Sequence, residues 1–209
     1  MRHFIAAMCL IAQAARAAPV ELPATYKSMF DKDRAWTYRV TVTAAKAKPV
    51  IATVTCKVAE VATLGAARVS RIACDGPFDD DPNIRVDGIW AATAAGVNRI
   101  GEATDRWPST ESAATNEFVV LAAHPKVATA KTVQEHGGYD LRVITHPDRS
   151  TWCVRDDSTH TGGGAGDVTT RCFANGGLVR ATLDWRADPP HSVTVQRDDD
   201  RKHDDSSGE

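Results

Sequence analysis

The chain lacks any apolar stretch able to cross a bilayer as a helix: its longest candidate, Phe4 to Ala12, falls far short of the roughly 20 residues required. It lacks a positive balance, with 25 basic against 27 acidic residues, which excludes the electrostatic footprint of a nucleic-acid binder. It lacks an Asn-x-Ser/Thr acceptor, so the glycosylated class of eukaryotic secreted proteins is a poor match. It also lacks the Gly-x-Ser-x-Gly elbow, the His-Glu-x-x-His helix, the Ser-x-x-Lys motif and the phosphate-cradling Gly-x-x-x-x-Gly-Lys loop, each of which places a nucleophile, a metal or a phosphate in a set geometry. No catalytic residue is assigned from motifs.

What the N-terminus does contain is a leader. Met1-Arg2-His3 precedes the apolar run, and Ala15-Arg16-Ala17 before Ala18 reads as the small-residue cleavage site of a secretory signal peptide, residues 1–17. Cys9 follows Ala7-Met8 instead of the small pair that precedes a lipid-modified cysteine, so it is expected to leave with the leader. Export without glycosylation sites fits a bacterial protein, periplasmic or extracellular. Residues 18–197 are then one domain of a size that carries a single core. The acidic stretch 198–209, "DDDRKHDDSSGE", has no apolar side chain to offset the entropy of ordering and reads as a disordered tail.

Four cysteines remain after cleavage, and in an oxidising compartment thiols pair. Three connectivities are possible. The expected one joins neighbours, Cys56 with Cys74 and Cys153 with Cys172, because each couple sits on two successive strand patterns that antiparallel pairing sets side by side. The two bracketed hairpins have similar lengths, which raises an internal duplication; poor identity between them favours two hairpins bridged for the same physical reason.

The strand patterns are many. Trp36, Tyr38, Val40 and Val42 alternate with Thr37, Arg39, Thr41 and Thr43, and Val54, Cys56 and Val58 alternate with Thr53, Thr55 and Lys57. Further strands end at Cys74, flank Ala95-Gly96, run through Leu141 and Val143, and recur at Val179 to Trp185 and Val193 to Val195. Before them, Tyr26, Met29 and Phe30 after Pro23 predict a short N-terminal helix lying on a sheet. Residues 101–138 suit helix, capped by Ser109, or strand. The fold class is therefore all-β or β-dominated α+β: an antiparallel sheet, sandwich or partial barrel of about ten short strands.

The loop "STHTGGGAGD" holds the best acid/base candidate, His160, near Asp156 and Asp157, but a solvated loop explains it better. His124, His146 and His191 touch prolines and His136 precedes Gly137-Gly138, as loop residues do. A metal cage from Cys153, Asp156, Asp157, His160, Asp167 and Cys172 has no close-spaced cysteine pair to aim two ligands at one ion. A calcium loop at Asp79, Asp81 and Asn83 has Ile84 where glycine is required and Trp90 where the bidentate glutamate belongs. No metal and no cofactor are expected. Trp36, Trp90, Trp152 and Trp185 fall in strand patterns and suit a core, whereas Trp107 in "DRWPST" suits a partly exposed loop. These readings converge on an exported, non-enzymatic binding or envelope-associated module whose partner is another protein or an apolar small molecule. The alternatives are a carrier that holds a lipid or lipoprotein in a curved sheet, and a hydrolase built around His160.

Overall fold

The computed structural model describes residues 20–76, 84–114, 119–133, 139–159, 166–186 and 189–198. The leader, the tail beyond Asp198, His136, His160 and the aspartates of the calcium-like loop lie outside the described residues.

Alternation builds the sheet strand by strand. In β1 (Ala35–Ala44) Trp36, Tyr38 and Val40 are buried while Thr37, Arg39 and Thr41 take the other face. β2 (Val50–Leu64) sets Val54, Cys56 and Val58 beside them, with Trp36 opposite Cys56 and Tyr38 opposite Val54. A two-residue turn, with Gly65 at φ +60°, leads into β3 (Ala67–Asp75). β4 (Gly88–Ala92) and β5 (Gly96–Gly101) flank the Ala95-Gly96 turn as the sequence predicts. The undecided stretch resolves into a short helix α1 (Thr110–Ala114), entered where Ser109 Oγ accepts from the Ser112 amide, and the strands β6 (Leu121–Ala122) and β7 (Ala128–Val133). β8 (Tyr139–Thr145), β9 (Trp152–Thr159), β10 (Asp167–Ala174), β11 (Gly177–Trp185) and β12 (His191–Arg197) complete it.

Among the described residues these form one open, antiparallel, twelve-stranded sheet in the order β6-β5-β4-β3-β2-β1-β12-β11-β10-β9-β8-β7. The first half runs from the middle outward and the second from the far edge inward, so β1 and β12 meet at a central seam, Val40 opposite Val195. The expected N-terminal helix is a single 3-10 turn, Lys27–Phe30, that starts later than Pro23 suggested. Its Tyr26, Met29 and Phe30 enter the main core, and the Met29 amide donates to Gly176 O across the sheet. Gly176 follows Asn175 in a two-residue turn with positive φ at both, 47° and 86°. A Cβ on Gly176 would sit 2.2 Å from Ser28 Oγ, so the turn and the 3-10 segment fit only with glycine there.

Curling buries the apolar face. Laid flat, β6 and β8 would stand roughly 48 Å apart, ten strand spacings. Yet Arg142 Nη1 on β8 donates to Val119 O, two residues before β6, at 2.9 Å. The sheet has folded over, and Trp90 and Val97 share one buried cluster with Val154 and Phe173 from the other half. On the outer face of β3 to β5, α1 and Trp107 cover Val69, Ile89 and Ala91, and the Arg71 guanidinium lies 5.3 Å from the centroid of Trp107.

Both neighbouring cysteine couples are bonded, Cys56–Cys74 at 2.02 Å and Cys153–Cys172 at 2.09 Å. They face opposite ways. Cys56 is fully buried in the main core, whereas Cys172 joins Ala174, Val179 and Cys153 in a small cluster on the other face of the second half. The bridges join β2 to β3, leaving the seam outward, and β9 to β10, returning toward it, so the two hairpins are not equivalent copies.

Each bridge closes a loop of similar length, 18 and 19 residues apart, and chain entropy gives each about 3 kcal/mol. The double replacement Cys153→Ala/Cys172→Ala should cost about that amount in urea denaturation. Cys56→Ala/Cys74→Ala should cost more, because it also leaves a gap in the main core.

Candidate functional site

Where the two ends of the sheet meet, a cleft of about 720 Å³ opens between β4–β5 and β7–β10. One wall comes from the second half. Arg142 on β8 stands directly opposite Asp156 on β9, which stands opposite Thr169 on β10, and Arg171 lies one diagonal further along. The side chains use that register. Arg142 grips Asp156 with two bonds, Nε to Oδ1 at 2.6 Å and Nη2 to Oδ2 at 3.1 Å, while Arg171 Nη2 reaches Oδ2 at 2.6 Å. Asp140, Ser158 and Asp167 extend this wall.

The other wall comes from the first half, with Trp90 opposite Arg99 across β4 and β5. Trp90 Nε1 donates to Val86 O at 2.9 Å, which fixes the indole edge. Arg99 donates from Nε to Asp87 O at 2.9 Å and from Nη2 to Glu102 at 2.7 Å. A Cβ on Gly88 would lie 2.5 Å from Arg99 Nε, so this glycine makes room for the guanidinium. Arg85 pairs with Asp87 at 2.6 Å.

The charges of this wall are paired. Burial pushes the Asp156 carboxyl up, but the hydrogen bond and charge of Arg142, joined by those of Arg171, outweigh it and hold the group below the usual carboxylate range. A carboxylate clasped by two guanidiniums stays ionised and is a poor proton acceptor at neutral pH. The described histidines are elsewhere: His146 stacks on Trp152 with ring centroids 4.1 Å apart, and His191 lies beside Trp185 at 5.9 Å. His124 does not line the cleft either.

The residues proposed for a metal cage are divided by the sheet itself. Asp156, Asp157 and Asp167 border the cleft, whereas Cys153 and Cys172 do not, and both thiols are consumed in a disulfide. The Asp157 carboxylate is held by Arg155 and Arg186 at 3.1 and 3.4 Å. Among the described residues no group of three or more His, Cys, Asp or Glu is placed to hold a metal ion, and no helix is long and apolar enough to cross a membrane. Of the tryptophans, Trp36 and Trp90 are core residues as expected, Trp152 is half-buried, and Trp185 is 36% exposed at the end of its strand.

Arg85, Arg99, Arg142 and Arg171 were not picked out from the sequence. One local signal does point to the cleft. Arg155-Asp156-Asp157 puts three charges in a row on a strand, and with a period of two at least one must face inward. Compared with protein-family models, with curated proteins and with solved structures, the chain finds no match.

An aspartate with a lowered pKa stabilises the fold above its unfolded value of about 3.9, and that contribution vanishes as pH falls through the lowered value. Asp156→Asn should therefore cost about 1–3 kcal/mol near neutral pH, and the gap to the parent protein should shrink below about pH 4. Denaturant melts across pH 2–8 would show a constant gap if the pairing contributes nothing.

Proposed function

We propose that this chain is an exported, disulfide-stapled binding module without catalytic activity, and that the cleft between the sheet ends holds a small polar ligand carrying both positive and negative charge. The observation that carries this reading is the wall chemistry: Arg85, Arg99, Arg142 and Arg171 line one cleft together with Asp140, Asp156, Asp157, Asp167 and the buried Trp90. Two intrachain disulfides support an oxidising compartment, periplasmic or extracellular. A cleft of about 720 Å³ falls within the usual range for small-molecule sites, about 300–1,000 Å³. Lipid or lipoprotein cargo is less well served, because the apolar side chains of the curled face are already packed against one another and the charged ones line the opening.

Thermal unfolding of the oxidised protein tests this against two probe sets, zwitterions such as glutamate, arginine and phosphocholine, and apolar probes such as palmitate and lipid extract. A ligand at a hundred times its dissociation constant adds about 2.7 kcal/mol and raises the midpoint. The zwitterion set should give the rise, and Arg142→Gln, which leaves the Arg171–Asp156 pair in place, should reduce it. A rise confined to the apolar set would replace this reading with that of a lipid carrier.

A further inference from the structure

We infer that β7 is a self-association edge, at which two copies of this protein pair antiparallel with Ala130 of each on the two-fold axis, making one continuous sheet across both. β7 is the terminal strand; among the described elements it pairs with β8 alone, and all six of its residues are exposed. Its other side is a row of backbone donors and acceptors, the template on which strands add. Native edges are usually guarded by proline or by an outward lysine. This one has no proline, and its lysine leans inward: Lys131 Nζ lies 4.5 Å from the centroid of the Tyr139 ring on β8.

The occupant is argued from the residues themselves. Read outward from Ala130, the segment Val127 to Val133 sets Thr129 opposite Lys131 of the second copy, Ala128 opposite Thr132, and Val127 opposite Val133. Val127 and Val133 are 68% and 71% exposed, the two most exposed large apolar side chains among the described residues, and this register buries each against the other, twice. It places no two like charges directly opposite. An isologous interface requires self-complementarity of this kind, and an unrelated extended peptide would not. Antiparallel pairing also keeps the faces of the two sheets on the same sides. Ala130 and Thr132 line the cleft, so the two clefts open next to each other across the axis. Seven residues a side is a small contact, below about 1,200 Å², so the association belongs at high protein concentration.

Sedimentation velocity of the full oxidised chain, from micromolar to millimolar, tests the pairing with two substitutions at an exposed position. Thr129→Glu sets a carboxylate opposite Lys131 of the second copy and should tighten the dimer roughly two- to thirtyfold; Thr129→Lys sets a like charge there and should weaken it by a similar factor. Circular dichroism should show both variants folded, as expected for a solvent-facing residue. A monomer at every concentration, Thr129→Glu included, overturns the inference, as does a dimer whose constant moves in the same direction in both variants. A monomer whose edge is instead occupied by an extended segment of another protein overturns it equally.

Discussion

A sheet with little else to lie on must bury its apolar face against itself. That constraint governs this protein: among the described residues the one α-helix has five residues and covers only the outer side of β3 to β5, and the 3-10 turn adds little more than Tyr26, Met29 and Phe30 to the core. Trp36, Tyr38, Val54, Phe173 and Leu183 therefore find their partners on other strands of the same sheet, and the cost is curvature. Tyr38 shows how tightly the curl is tied, its hydroxyl donating to Leu178 O at 2.9 Å from a residue 140 positions away in the chain. Twist makes such folding-over natural for a sheet this wide, since strands rotate by roughly 20–25° from one to the next.

Folding over leaves two ends that come together without sealing, and the cleft is what remains between them. Its polar character follows from the same geometry. Residues near the opening of the curl keep access to water, so charge is tolerated there, and each guanidinium is met by a carboxylate or a carbonyl oxygen. The middle of the sheet, where no water reaches, holds valines, aromatics and one disulfide instead. The charged cleft and the core thus occupy one face of one sheet, separated by distance from the seam.

Much of this architecture was legible in the sequence because a two-residue period is a local property. The face of Trp36, Tyr38 and Val40, the position of Cys56 among valines and the turn at Ala95-Gly96 depend on residues a few positions apart, and the pairing of neighbouring cysteines on hairpins that bring together residues 18 and 19 positions apart. β7 was not legible, since a strand exposed on both faces carries no apolar alternation, and β6 is only Leu121 and Ala122. Nor was the cleft, whose opposite walls come from Trp90 and Arg99 on one side and Arg142, Asp156 and Arg171 on the other. No periodicity records which strand ends will meet after the sheet curls.

The central seam has a further consequence for how the molecule comes into being. Each flanking strand pair is a hairpin or meander that can zip from its own turn, but β1 and β12 are separated by almost the entire domain. Their union waits for the last strand to leave the ribosome, and closing so long a loop is slow compared with hairpin formation. Until then β1 lacks the partner it has in the finished sheet. The protein's most vulnerable moment, when a foreign strand can take the place of β12, is thus written into the order of its strands.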